Sequence, residues 1–147
     1  MAEPRSLHLP AAVLTDLVDI RTLVRDCATA AGFTDVEVDD LVQAVDESAT
    51  NVLVHGYRKR PGRLSVTVRS AGAELTVRLE DDATPFDPRG WARPDADASW
   101  TQRRPGGWGI PLTRGCVDEI YHHERERGDG NVLTLVKRGS GRERHPA

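Results

Sequence analysis

Cysteine is nearly absent. The 147-residue chain has two, Cys27 and Cys116, far apart and in no CxxC or other metal-ligand spacing. That argues against a disulfide scaffold or a zinc site and makes a reducing compartment the expectation. A basic excess is missing as well. Twenty Lys and Arg against 23 Asp and Glu give a net charge of −3, whereas a protein that coats nucleic acid carries surplus cations. No apolar run approaches the roughly 20 residues of a membrane span. The start, MAEPRSLHLPAAVL, lacks the basic-then-apolar pattern of a secretory signal. There is no internal repeat, no GxxxxGK[ST] phosphate loop, and no HRD/DFG set of the protein-kinase fold. The expectation is a cytoplasmic domain with neither nucleic acid nor membrane as a direct partner. Its 38% hydrophobic content suffices for one modest core.

Periodicity supplies the elements. Arg5 to Leu9 reads as a short strand stopped by Pro10. From Thr15 to Ala31, Leu17, Ile20, Val24, Cys27, Ala28 and Ala31 recur at helical spacing, with Thr15 or Asp16 as N-cap and Gly32 as the stop. A second helix starts near Asp35 or Asp39 and runs to His55, with Val38, Leu41, Val42, Val45, Ala49, Val52 and Leu53 as its core stripe. The period then becomes two: Leu64, Val66 and Val68, then Leu75, Val77 and Leu79, around a turn at Ser70–Ala73. A proline-rich, charged loop follows from about residue 81 to 107, long enough to be functional. A third helix is expected from Gly109 to Glu119, then strands near 120–125 and 132–137, and a disordered tail over 139–147. The order β-α-α-β-β-loop-α-β-β gives hairpins with all helices on one face. That is an α+β two-layer sandwich over residues 1–138, with a mixed, mainly antiparallel sheet.

Three features carry chemistry. On the second helix Glu47, Asn51 and His55 follow at i+4 steps away from the apolar stripe, beside the small residues Ala44 and Ser48. Nothing from Leu41 to Tyr57 is Lys or Arg, so the face reads as a cavity wall. His55 is either part of that wall or a polar helix-terminal residue. Next, Glu80-Asp81-Asp82 ends a strand, where an acid either caps a turn or accepts a hydrogen bond from a ligand N–H. Third, Pro105-Gly106-Gly107-Trp108-Gly109 enters a helix, where backbone N–H groups can meet an anion. His122 and His123, adjacent on a strand, point to opposite faces and make a poor metal site.

The order of these features resembles the GHKL (Bergerat-fold) ATPase/kinase superfamily, and within it the bacterial anti-sigma-factor serine/threonine kinases. The carriers are Ala44–Tyr57 (AVDESATNVLVHGY), Glu80–Pro88 (EDDATPFDP), Gly107–Leu112 (GWGIPL) and Asn131–Leu135 (NVLTL), within roughly residues 7–138. The resemblance implies ATP and Mg²⁺ as ligands, with Asn51 on the metal. It implies Glu47 as general base toward a serine or threonine hydroxyl of a protein substrate. Asp81 would select adenine; Gly106, Gly107, Trp108 and Gly109 would line the phosphates, with Arg103 and Arg104 adding charge. Ala83, Pro85, Phe86 and His55 would complete the nucleotide site, Thr134 would support the adenine side, and the loop would act as a lid. The implied partners are a sigma factor, a STAS-domain anti-anti-sigma protein and a second copy of the chain. Ala83 and Pro85 depart from the superfamily's Asp-x-Gly-x-Gly. They leave open an alternative, a nucleotide-gated interaction module of the same fold with little or no kinase activity.

Overall fold

The computed structural model describes residues 3–84, 115–125 and 130–140. Strand β1 (Arg5–Ala12) leads through a 3₁₀ turn (Leu14–Asp16) into helices α1 (Leu17–Ala30) and α2 (Asp35–Thr50). A π-helical turn (Asn51–Gly56) extends α2, and strands β2 (Gly62–Ala71), β3 (Glu74–Asp81), β4 (Glu119–Glu124) and β5 (Asn131–Arg138) follow. The strands form one sheet in the order β1-β2-β3-β5-β4. Every neighbouring pair is antiparallel rather than mixed.

The helix starts and stops follow from local chemistry. Thr34 accepts from the Glu37 N–H at 3.2 Å while Glu37 accepts from the Thr34 N–H at 2.8 Å, a reciprocal cap for α2. At the end of α1, Gly32 adopts φ +89°. The Gly32 and Phe33 N–H groups then return to the carbonyls of Thr29 and Ala28, which satisfies two orphan acceptors of the last turn. The helices run as an antiparallel pair, with Arg21 on Asp46 and Arg25 on Asp39 at 2.8 and 3.1 Å.

Strand alternation decides what faces the helices. Leu64, Val66 and Val68 stand opposite Asp81, Leu79 and Val77, and these in turn opposite Asn131, Leu133 and Leu135. Their apolar members are buried with Ile20, Val24, Leu41, Val45 and Leu53 in one core. Each such side chain contributes about 1.5–3 kcal/mol. Asp81 and Asn131 continue that inner face at its polar end.

Four boundaries differ from expectation. β1 passes Pro10 and reaches Ala12, because it is an edge strand whose register shifts between Leu9 and Ala12, a place where a missing N–H costs little. The turn between β2 and β3 shortens to Gly72 and Ala73. Of the expected third helix only its end is described, and it stops before Glu119. There the Asp118 N–H bonds to the Val136 carbonyl and pairing with β5 begins. The expected tail is held at its first two residues: the Gly139 N–H donates to the Ala73 carbonyl, and Ser140 donates twice to Glu37. No helix of the described residues is long and apolar enough to cross a membrane.

Burial opposes ionisation of Glu37, yet donors from Ser140 and Thr34 hold its carboxyl down to about 2. Its folded value lies below the unfolded one. Its stabilisation is therefore present above roughly pH 4.3 and fades as pH falls toward about 2. Glu37→Gln should be less stable than the parent at pH 7, with a gap that narrows across that window in urea titrations. Thr34→Ala should cost about 1 kcal/mol in the same assay.

Candidate nucleotide site

Asp81 closes β3 on the helix-facing side and is only 2% exposed. A carboxylate this deep needs donors. It receives the Ala83 N–H at 2.8 Å and the Asn131 side-chain amide at 3.0 Å, both on Oδ1. No described residue donates to Oδ2. Burial pushes its pKa up, and the bonds from Asn131 and Ala83 oppose that. The result is a fixed acceptor suited to a ligand N–H.

α2 supplies a second wall. Asn51 lies one helical turn beyond Glu47, about 6 Å along the axis, and is buried to 9% exposure. No described residue hydrogen-bonds its side-chain amide, an orphaned polar group of the kind a ligand satisfies. Glu47 is half-buried, and burial, with Asp46 adding to it, pushes its pKa up. Ala44 and Ser48 on the same helix are buried, the Ser48 hydroxyl donating to the Ala44 carbonyl at 2.8 Å.

His55 does not continue the Glu47–Asn51 line. From Asn51 the chain winds as a π turn, marked by the Tyr57 N–H reaching the Val52 carbonyl at 2.8 Å. A turn closed by i→i+5 bonds comes round one residue later, and His55 is exposed. The same winding brings Gly56 against Ala83: a Cβ on residue 56 would lie 2.9 Å from the Ala83 methyl. Tyr57 then ties the two walls together. Its hydroxyl donates to the Arg63 carbonyl at 2.6 Å and accepts from the Asp82 N–H at 2.7 Å. Arg63 grips the Asp82 carboxylate through two nitrogens, and Arg125 pairs with it as well. A cleft of about 400 Å³ opens at this seam, lined by Gly56, Tyr57, Asp82, Ala83 and Thr84 with Arg58 and Arg60 at its edge.

Thr134 is a correction. It stands opposite Arg78 and Tyr121, one residue out of phase with Asp81, so it faces away from the helices. On β5 it is Asn131 that shares the helix-facing side with Asp81. Directly after Gly130, Asn131 carries no local sign of a partner; its register opposite Asp81 brings it to the acid. Pro85, Phe86, Arg103, Arg104, Gly106, Gly107, Trp108 and Gly109 lie outside the described residues. Beyond them the chain is anchored to β5. Lys137 donates to the Cys116 carbonyl at 2.7 Å and lies 4.0 Å from Asp40, while the Asp40 and Glu47 charges both act on the Cys116 thiol.

These residues fit a magnesium nucleotide. Asn51 offers a buried oxygen of the kind Mg²⁺ takes, Asp81 an acceptor for an exocyclic amine, and Glu47 a carboxylate one helical turn from Asn51. Comparison with known proteins identifies the domain. The family profile of the histidine kinase-like ATPase domain matches residues 10–137. An anti-sigma F factor of Clostridium acetobutylicum is 28% identical over 109 residues, 69% of this chain and 71% of that protein. The serine/threonine-protein kinase BtrW of Bordetella bronchiseptica is 28% identical over 98 residues, covering 65% and 67%. Among solved structures, the RsbU and RsbW domains of Rv1364c from Mycobacterium tuberculosis superpose with a TM-score of 0.65 at 19% identity. That match covers 94% of this chain and 33% of the longer one.

Asp81 titrates above its ordinary value, so folding favours its protonated form, and stability falls as pH rises through the folded pKa. Asp81→Asn should therefore be more stable than the parent at pH 7. The gap should close as pH is lowered toward the unfolded value of about 3.9, as followed by urea unfolding at several pH values.

Proposed function

This chain belongs to the histidine kinase-like ATPase family, and we propose that within it the protein is an ATP-dependent serine/threonine kinase acting as an anti-sigma factor. In this reading it sequesters a sigma factor and phosphorylates a STAS-domain antagonist that releases it, with a second copy of the chain as a further partner. The observation that carries the reading is the buried Asn51 amide, unpartnered among the described residues, one helical turn from the half-buried Glu47. The relatives named anti-sigma F factor and serine/threonine-protein kinase support its two halves.

Each residue then has one task. Asp81 accepts from the adenine amino group and so selects the base. Asn51 would hold Mg²⁺, which would offset charge on the phosphates. Glu47 takes the proton of the substrate hydroxyl as that oxygen bonds to the γ-phosphorus and the bond to the departing ADP oxygen breaks. Its raised pKa makes it a stronger base than a solvated carboxylate. Gly107 and Gly109 would give N–H groups to the phosphates, and Arg103 and Arg104 would counter their charge.

The alternative, a nucleotide-gated module without transfer, draws on Ala83 and Pro85. At Ala83 the added methyl leaves the acceptor intact, as both readings require. The methyl is accommodated by the bare Cα of Gly56, and the Ala83 N–H still reaches Asp81.

Glu47→Ala should slow phosphate transfer from ATP to the cognate antagonist by roughly 10²–10⁴ while leaving ATP affinity unchanged. Asn51→Ala should remove the Mg²⁺ dependence of ATP binding in isothermal titration. Asp81→Asn should weaken ATP by about tenfold or more. Transfer that survives Glu47→Ala at the parent rate would overturn the mechanism. A parent protein that binds ATP yet transfers nothing would leave the gated module standing.

A further inference from the structure

We propose that His122 is a specificity-determining positioning residue: it fixes the polarity of the buried Asp81–Asn131 pair and thereby the preference for a 6-amino over a 6-oxo purine. The proposal rests on the reading of Asp81 as the adenine acceptor.

The geometry leaves one arrangement. An ionised carboxylate only accepts, so the Asn131 atom 3.0 Å from Asp81 Oδ1 is the amide nitrogen. The same nitrogen faces the carbonyls of Ala83 and Thr84 at 3.4 Å each. The amide oxygen therefore points the other way, where His122 Nε2 stands 2.9 Å from it. A carbonyl oxygen also only accepts, so Nε2 carries the hydrogen. A chain of donation runs from His122 through Asn131 to Asp81.

That chain sets what Asp81 offers a ligand. With Asn131 held this way, Oδ1 is engaged by two donors and Oδ2 stays an acceptor, matching an exocyclic amine. If Asn131 turned over, its oxygen would oppose the carboxylate inside a buried site. Asp81 would then take up a proton and become a donor, matching a 6-oxo group. His122 is placed for the task by strand alternation. It stands opposite Leu133 on β5, on the same face as Asn131 two residues away, while its neighbour His123 stands opposite Val132 on the other face. His122 is half-buried and so kept close to the pair.

The experiment titrates ATP and inosine triphosphate, each with Mg²⁺, into the parent protein, His122→Phe, His122→Gln and Asp81→Asn, with thermal melts as a folding control. Side-chain amide exchange at Asn131 is followed by NMR without nucleotide. The parent should prefer ATP, and His122→Phe should lose about five- to tenfold of the ATP-to-inosine-triphosphate ratio and speed Asn131 amide exchange. His122→Gln, whose amide N–H replaces Nε2–H, should restore both. An unchanged ratio in His122→Phe overturns the proposal, and so does a His122→Gln that folds but fails to restore the ratio. Should His122→Phe not fold, His122→Gln and the parent's slow Asn131 amide exchange decide it in the same way. A parent without preference, or Asp81→Asn with the parent's ratio, fails the underlying reading of Asp81 and the proposal with it. Amide exchange that still answers to His122 then shows that the donation chain itself is sound.

Discussion

A carboxylate kept out of water at the seam between a sheet and a helix is the constraint around which this molecule is arranged. Asp81 is 2% exposed, and a buried charge is tolerated only where donors are fixed in place before it ionises. One donor is local, the Ala83 N–H two residues on, and the other arrives from a strand fifty positions later in the chain. The first fixes the path of the chain leaving β3. The second requires that β5 lie beside β3 in a register that sets Asn131 opposite Asp81. The topology therefore serves the site as directly as it serves the core.

The helix side answers the same constraint in a different way. A regular α-helix running past Asn51 would present its side chains in an unbroken i+4 line. The π turn breaks that line, lets Gly56 meet Ala83, and brings the Tyr57 hydroxyl to the Asp82 N–H. Departures of this kind collect at functional sites because they re-aim groups that regular geometry would misplace. Here the turn joins the wall bearing Glu47 and Asn51 to the wall bearing Asp81. The paired charges of Arg63, Arg125 and Asp82 then hold the seam from outside.

Legibility in the sequence tracked the range of the interaction. Capping by Thr34 and Glu37, termination at Gly32, and the inward stripe of α2 are contacts within a few residues, so residue type and spacing reveal them. Pro10 misled because its cost depends on whether its strand is central or at an edge, which local sequence does not state. His55 misled because the periodicity argument assumes one helical pitch throughout. Thr134 misled for the simplest reason, a shift of one residue, which turns a strand side chain to the other face. His122, a poor metal ligand by its spacing, meets Asn131 because β4 lies along β5.

By itself, then, the sequence determined the α+β class and placed Glu47 and Asn51 one turn apart on a helix and Asp81 at a strand end, because these follow from periodicities of 3.6 and 2 and from short motifs. Tertiary structure alone decided the donors to the buried acid, the place of Asn131 and His122, and the fit of Ala83 against Gly56. Each depends on strand register or on the closeness of two backbones far apart in the chain. Register and approach are set by the packing of the whole core, and no local stretch of residues encodes them.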